Sequence, residues 1–238
     1  MPAKHGPSQC LVRYYFLPWY SGVMVEELGL RERKKLQTER RVWRTALELF
    51  LERGFEKVSV QEIAAAADVS KMTVFNYYGS KEDLVLKPME HHAGDAARAV
   101  RDRLRGESAV AAVCRQFVEM LELRDPSVGL CDQAEVLSIR RLIVETPALL
   151  LRAYANRMHG LQRLAEVLEE EAGGDRMDAQ VAAGQIMAAR NALINENHRR
   201  LLEGETADAV YPDAVAAAHR AFELVERGLG GYATRPAE

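Results

Sequence analysis

From residue 30 onward, apolar positions recur at three- and four-residue intervals, the period of a helix buried along one side. No pair of segments alternates with period two, so no strand pairing is expected. Between Thr38 and Arg53, Val42, Ala46, Leu49 and Phe50 fall at i, i+4, i+7 and i+8, with Trp43 widening the stripe. Breaks recur at Gly54, Gly79, Gly106, Asp125-Pro126, Thr146-Pro147, Gly173-Gly174 and Gly204. Their spacing predicts an all-α chain of about nine helices with short connections. Beyond residue 80 the expected helices are 81–104, 108–123, 128–144, 147–172, 176–203 and 208–229.

The short helices ahead of residue 80 carry start and stop signals. Gly54 suits the left-handed conformation that closes a helix. Ser59, with Glu62 three residues later, forms a capping box that opens a second helix over Val60 to Ala67, with Ile63, Ala64 and Ala67 inward. Asp68-Val69-Ser70 turns the chain, and Ser70 caps a third helix from Lys71 to about Tyr78. Val69, Val74 and Tyr78 take its buried side. Ser80, followed by Glu82-Asp83, opens a fourth. Two short helices joined by a tight turn and packed on a longer first helix make a helix-turn-helix, whose second helix fits the DNA major groove. Lys71, Thr73 and Asn76 put a cation, a hydroxyl and an amide on the exposed side of that helix. Lys81 and the first amides of the fourth helix are placed to hold phosphate. Any small bundle with capped helices would satisfy the capping signals alone.

Charge sharpens this picture. The 238 residues carry a formal charge of −3, so any DNA-binding surface is local. Residues 31–87 hold 12 Lys/Arg against 9 Asp/Glu, a net of +3, which leaves −6 for the remainder. Within 31–44 there are 7 basic and 2 acidic residues. Arg31, Arg33, Lys34 and Lys35 form a basic arm with two open readings: phosphate or minor-groove contact, or a solvated, flexible lead-in. The three cysteines, Cys10, Cys114 and Cys131, are odd in number and lack metal-ligand spacing, which points to a reducing cytoplasm rather than a disulfide framework. No run of about 18 apolar residues exists, so no membrane association is expected. The apolar stretch Cys10 to Tyr20 is interrupted by Arg13 and Pro18 and has no clear cleavage site, so it does not read as a signal peptide. The expectation is a disordered tail over residues 1–30, or translation starting at Met24.

At the level of whole words, Arg44-Thr45-Ala46-Leu47-Glu48-Leu49-Phe50-Leu51-Glu52-Arg53-Gly54-Phe55, Val58-Ser59-Val60-Gln61-Glu62-Ile63-Ala64 and Ala67-Asp68-Val69-Ser70-Lys71-Met72-Thr73-Val74-Phe75-Asn76-Tyr77-Tyr78-Gly79-Ser80-Lys81-Glu82-Asp83-Leu84 closely resemble the DNA-binding domain of TetR-family regulators. The resemblance covers residues 31–87, in order and spacing. It implies a helix-turn-helix DNA-binding domain over 31–80 and a helical-bundle ligand-binding and dimerisation domain over 81–238. It also implies a homodimer on a palindromic double-stranded DNA operator, repressing until a small-molecule inducer releases it. By position, Gln61 reaches a base or phosphate, and Lys71, Met72, Thr73 and Asn76 form the base-reading set, with the capping Ser70 beside them among the DNA-binding residues. Tyr77 and Lys81 match the family's phosphate contacts. The chain departs from the family's pattern at Asn76, where an aromatic or arginine is frequent, and at Phe75, where tyrosine is frequent. An asparagine can pair bidentately with adenine, so Asn76 is expected on an A·T pair.

Beyond residue 88 the resemblance is architectural only. Ala182, Gly184, Ala188 and Ala189, then Ala214, Ala217, Ala218, Ala221, Phe222 and Val225, put small residues at helical spacing on the last two helices. The resemblance implies a four-helix dimer interface there; an intrachain core stripe has the same spacing. Arg140, Tyr154 and Asn191 are candidate pocket residues, with Arg141 diverging from Arg140. Glu90, His91, His92 and Asp95 could suggest a metal, but adjacent histidines diverge by about 100° on a helix, so ordinary side chains are expected. Cys114 and Cys131 read as buried apolar cysteines rather than redox sensors. An all-helical enzyme using Glu135, Glu145 or His159, and a sensor that has lost DNA binding, are the competing readings. No nucleophile elbow, phosphate loop, zinc motif or paired Glu-x-x-His supports the enzyme, and no cofactor is expected.

Overall fold

A computed structural model describes residues 29–172 and 175–230. The readings of the tail over 1–28 and of Met24 lie outside the described residues, as does the side chain of His91. Among the described residues there are ten α-helices, two 3-10 segments and no strand. The helices are α1 (Leu30–Arg53), α2 (Val60–Ala66), α3 (Lys71–Tyr78), α4 (Asp83–Leu86), α5 (Asp95–Arg101), α6 (Ala109–Glu122), α7 (Ala134–Glu145), α8 (Pro147–Ala172), α9 (Arg176–Leu202) and α10 (Ala207–Leu229). The 3-10 segments are Lys87–Gly94 and Pro126–Val128.

Packing divides the chain into two compact units, residues 1–90 with 133–154, and residues 91–132 with 155–238. In the first, α2 and α4 pack on α1, α3 packs on α2, and α7 packs against α1. Its core contains Val42, Trp43, Ala46, Leu47, Phe50, Phe55, Ile63, Val74, Tyr78 and Leu84. Phe50 and Phe55 lie with ring centroids 4.9 Å apart. In the second unit α10 packs on α6 and α9, and α5 packs on α6. Phe117 meets Phe222 edge to face at 6.0 Å. No described helix is long and apolar enough to cross a membrane.

Several expectations need correction. The first helix begins at Leu30, two turns before Thr38, so the basic arm is helical rather than a flexible lead-in. Leu47 is buried in α1, whereas Leu49 is only half-buried. The helix expected over 81–104 is broken into α4, the 3-10 segment and α5. Pro88 supplies no backbone N–H there, and such a gap ends a regular α-helical ladder. The helix expected from 128 starts at Ala134. Asp125 accepts from the Ser127 amide at 2.8 Å, and Gly129 takes a left-handed φ of 76°, so this stretch is a capped turn.

The second unit buries charge as well as hydrocarbon. Asp95 is 8 % exposed, with its carboxylate 2.9 Å from His92 Nδ1, paired to Arg98, and 3.9 Å from Arg190. Burial alone would raise its pKa. The His92 hydrogen bond and the nearby positive charges, Arg190 and Arg98 among them, outweigh that, so Asp95 titrates below the usual carboxylate range. Arg103, 4 % exposed, pairs with Glu171. Among the described residues, no three metal-ligating side chains are gathered as a site.

Candidate nucleic-acid interface

The turn between α2 and α3 is built from hydrogen bonds that leave little freedom. Ser59 Oγ accepts from the Glu62 amide at 3.2 Å, and Glu62 accepts from the Ser59 amide at 2.8 Å, completing the capping box. The same carboxylate accepts from Arg53 at 2.7 Å, tying the end of α1 to the start of α2. The Ser59 amide and then Arg53 hold the Glu62 pKa down to about 2. Asp68 takes a positive φ of 52°, a conformation Asp tolerates better than most residues. Its neighbour Val69 donates to the Ala64 carbonyl at 3.0 Å, and α3 follows at once.

The geometry of α3 separates its residues into three groups. Val74 and Tyr78 are buried at 1 % and 3 % exposure. Met72, Thr73 and Asn76 lie on the opposite arc at about 100° per residue, with Met72 and Asn76 exposed and Thr73 half-buried. Lys71 stands on the flank, its ammonium 5.8 Å from the Phe75 ring centroid. Ser70 is exposed, but its hydroxyl is engaged: it accepts from the Thr73 amide at 3.0 Å and lies 2.8 Å from Thr73 Oγ1. Gln61 is exposed in the first turn of α2.

Tyr77 and Lys81 are held more closely than spacing alone suggests. Tyr77 is half-buried, and burial followed by the Glu39 carboxylate pushes its phenol pKa up, so it is a neutral donor. Its carbonyl accepts from Lys87, whose ammonium also lies 5.4 Å from the Tyr78 ring centroid. The Lys81 ammonium rests 4.2 Å from the Phe55 ring centroid, a cation–π contact inside unit one. Of the first amides of the fourth helix, that of Asp83 already donates to Ser80 Oγ at 3.1 Å. Arg152 of α8 reaches Asp83 at 3.1 Å and Glu90 at 3.5 Å. That clamp joins residues 69 apart in sequence for the Asp83 contact, so periodicity gave no sign of it.

The candidate pocket residues are less concentrated. Arg140 and Asn191 are half-buried and Tyr154 is 60 % exposed. Two clefts lie within unit two. One, of about 240 Å³, is lined by Asp95, Arg98, Asp102, Arg115, Gln116 and Glu119, with Ala99. The other, of about 440 Å³, lies between the start of α6 and the second half of α10 and includes Cys114, His219 and Glu226. Neither is lined by Arg140, Tyr154 or Asn191. Cys131 is buried, while Cys114 is half-buried beside His219 at 3.8 Å, and burial raises the Cys114 thiol pKa.

An all-helical chain with a capped helix-turn-helix at its N-terminal end defines a class of DNA-binding regulators. Residues 43–87 match the family description "Bacterial regulatory proteins, tetR family". The chain is 34 % identical over 152 residues to the HTH-type transcriptional regulator TcmR of Streptomyces glaucescens, covering 63 % of this chain and 67 % of TcmR. Among solved structures it is similar to NalD, the secondary repressor of the MexAB-OprM multidrug efflux pump of Pseudomonas aeruginosa, with TM-score 0.53 and 18 % identity over 79 % of this chain and 96 % of NalD. It is also similar to SmeT in its triclosan complex, with TM-score 0.52 and 14 % identity over 81 % of this chain and 91 % of SmeT. The chain belongs to the TetR family of bacterial transcriptional regulators.

Proposed function

We propose that the protein is a cytoplasmic, homodimeric repressor that holds a palindromic operator through α3 and releases it when a small hydrophobic inducer binds the helical body. The observation that carries the DNA-reading part is the solvent face of α3. Met72, Thr73 and Asn76 stand on the arc opposite the buried Val74 and Tyr78, on a helix fixed at both ends by Ser70 and Tyr78. A helix so presented fits the major groove, and the amide of Asn76 suits the N6 and N7 edge of adenine. Gln61, Lys71, Tyr77 and Lys81 flank that face as backbone or base contacts. Ser70 serves it as the cap.

The dimer reading is supported by the outer face of α9 and α10. Ala182, Ala214, Ala218 and Phe222 are spent inside unit two, but Val181, Ala188, Leu224 and Gly228 are exposed and Gly184, Ala217 and Ala221 only half-buried. A Cβ added at Gly184 would meet nothing within 4 Å, so the chain's own packing does not require a glycine there. A flat, small-residue surface suits close approach by a second copy about a two-fold axis. Release by a ligand is supported by fold likeness alone, since SmeT is seen with triclosan. Repression has similar support: NalD is described as a repressor. No catalytic role is assigned to Glu135, Glu145 or His159.

Selection of bound sequences from a random double-stranded pool tests this reading. A palindrome whose half-site centres lie about 34–36 Å apart, or a multiple of that, is the expected result. Recovery of a single unrepeated motif, or of none, contradicts it.

A further inference from the structure

Asp83 sits where helix electrostatics disfavours a carboxylate. Gly79 closes α3 at a φ of 69°, and a Cβ built there would stand 3.2 Å from Asp83 Oδ2, so the carboxylate lies against the C-terminal end of α3. The last carbonyls of a helix leave that end negative, which draws cations and repels acids. Asp83 also opens α4, but that helix is four residues long and aligns half as many peptides as the eight-residue α3. The Asp83 side chain is only 15 % exposed, so water screens its charge poorly. A carboxylate held there needs a cation beside it.

Arg152 is that cation. It enters from the start of α8, 69 residues further along the chain, within the same compact unit as α3 and α4. Its Nη2 makes both contacts, 3.1 Å to Asp83 Oδ1 and 3.5 Å to Glu90 Oε1. Arg152 Nε is buried and donates to no acceptor, so the guanidinium acts as a point charge rather than a fork. Asp83 is the first residue of α4 and Glu90 lies four residues past its end, so one nitrogen brackets the helix. The turn from α3 to α4 is Gly79 to Glu82, and the Asp83 amide closes it on Ser80 Oγ at 3.1 Å. Any shift of α4 is therefore passed to the end of α3. The Tyr78 hydroxyl bonds that end to α1 at one point, which leaves a pivot. The Asp83 tie to α8 is a second point, and two points fix a tilt.

We propose that Arg152 is a positioning residue for operator reading: acting through Asp83, it fixes the tilt of α3 without touching DNA. The inference rests on the DNA-binding reading. Base edges are read by short, directed hydrogen bonds, whereas phosphate contacts hold the protein on any duplex. A reading helix released from one of its two anchors loses the first kind and keeps the second. Loss of Arg152 therefore reduces sequence discrimination rather than DNA binding as such.

The test compares the full chain on a duplex carrying the selected palindrome and on a scrambled duplex, across a range of salt. Arg152→Gln should weaken palindrome binding about five- to tenfold, in the range of a coupled positioning contact. Binding to the scrambled duplex and the slope of log K against log salt should not change. Arg152→Lys should keep most of the discrimination, since one charged nitrogen makes both contacts. In an Asp83→Asn background, Arg152→Gln should cost little more, because the two act as a pair. Arg152 is a half-buried helix position where glutamine is accepted, and thermal unfolding checks that each variant is folded at the temperature of the binding assay. A slope lower by about 0.9 makes Arg152 a phosphate contact and overturns the inference. So does an equal loss on both duplexes, a full additional loss in the Asp83→Asn background, or a lower Tm with discrimination intact. A wild-type chain that does not prefer the palindrome overturns the DNA reading itself.

Discussion

The hydroxyl of Tyr78, the last residue of α3, donates to the backbone carbonyl of Glu39 in α1 at 3.0 Å. Tyr78 is 3 % exposed, and burial together with the Glu39 carboxylate drives its pKa upward, so the phenol remains a donor throughout the working pH range. This one bond fixes the C-terminal end of the reading helix against the longest helix of unit one. The Ser70 cap fixes the other end. On the proposed reading, operator recognition rests on a helix of only eight residues that owes its orientation to tertiary contacts, since so short a helix is marginal by itself.

Tyr78→Phe should remove that bond while keeping the ring. The expected loss is about 1 kcal/mol, or roughly 2–4 °C in Tm for a chain of this size, with weaker operator binding. Thermal unfolding followed by circular dichroism measures it, and an unchanged Tm would show that the bond contributes nothing.

Glu62 gives the fold an acid-side pH dependence. Its pKa is depressed from 4.5 to about 2 in the folded chain, so its contribution is fully present above about pH 4.5. That contribution is lost as pH falls through about 2, where the folded-state carboxylate takes up its proton. Glu62→Gln should be less stable at neutral pH, and its Tm should fall less steeply between pH 4.5 and 2. Parallel curves for the two proteins would contradict this.

Gly129 closes the turn after the Pro126–Val128 segment at a φ of 76°, and a Cβ there would stand 2.6 Å from the Ile194 carbonyl. The neighbouring Asn197 donates to the Val128 carbonyl at 2.8 Å, anchoring the turn on α9. Gly129→Ala should cost at least about 1–2 kcal/mol from the left-handed backbone alone. Chemical denaturation reads the loss; a neutral substitution would mean the turn relaxes freely.

Gly184→Arg separates dimerisation from folding. No atom lies within 4 Å of the added Cβ, and arginine favours helix over glycine, so the subunit should fold normally. If α9 and α10 pair with a second copy, the bulky charge should convert the dimer to monomer in sedimentation velocity and weaken operator binding. A dimer that persists at the same concentration would move the interface elsewhere.

Much of this was legible in the sequence because the signals are local. Ser59, Glu62 and Ser70 make the caps that their spacing announces, and Ile63, Ala64, Val74 and Tyr78 take the buried positions that helical period assigns. What escaped was set by contacts distant in the chain or by single backbone donors. The Arg152 clamp on Asp83 joins α8 to α4. The Phe55 ring engages Lys81 through folding rather than spacing, and Pro88 breaks a helix whose apolar pattern runs on. Leu47 takes the core position expected of Leu49 because the buried arc of α1 runs from Val42 through Ala46 and Phe50 to Trp43 and Leu47, turned toward the Trp43 side and leaving Leu49 at its edge. The helical start at Leu30 was hidden because a polar, basic run has no apolar period to read.

The central claim is that α3 reads bases through its outer arc, and the most direct measurement is sequence selection with wild-type protein beside Asn76→Ala. Both should recover the same palindrome at the same spacing, and the variant should lose preference for adenine at one position in each half-site, a discrimination of about 1–3 kcal/mol. An unchanged preference at every position would contradict base reading by Asn76. A wild-type protein that selects no motif would contradict the account as a whole.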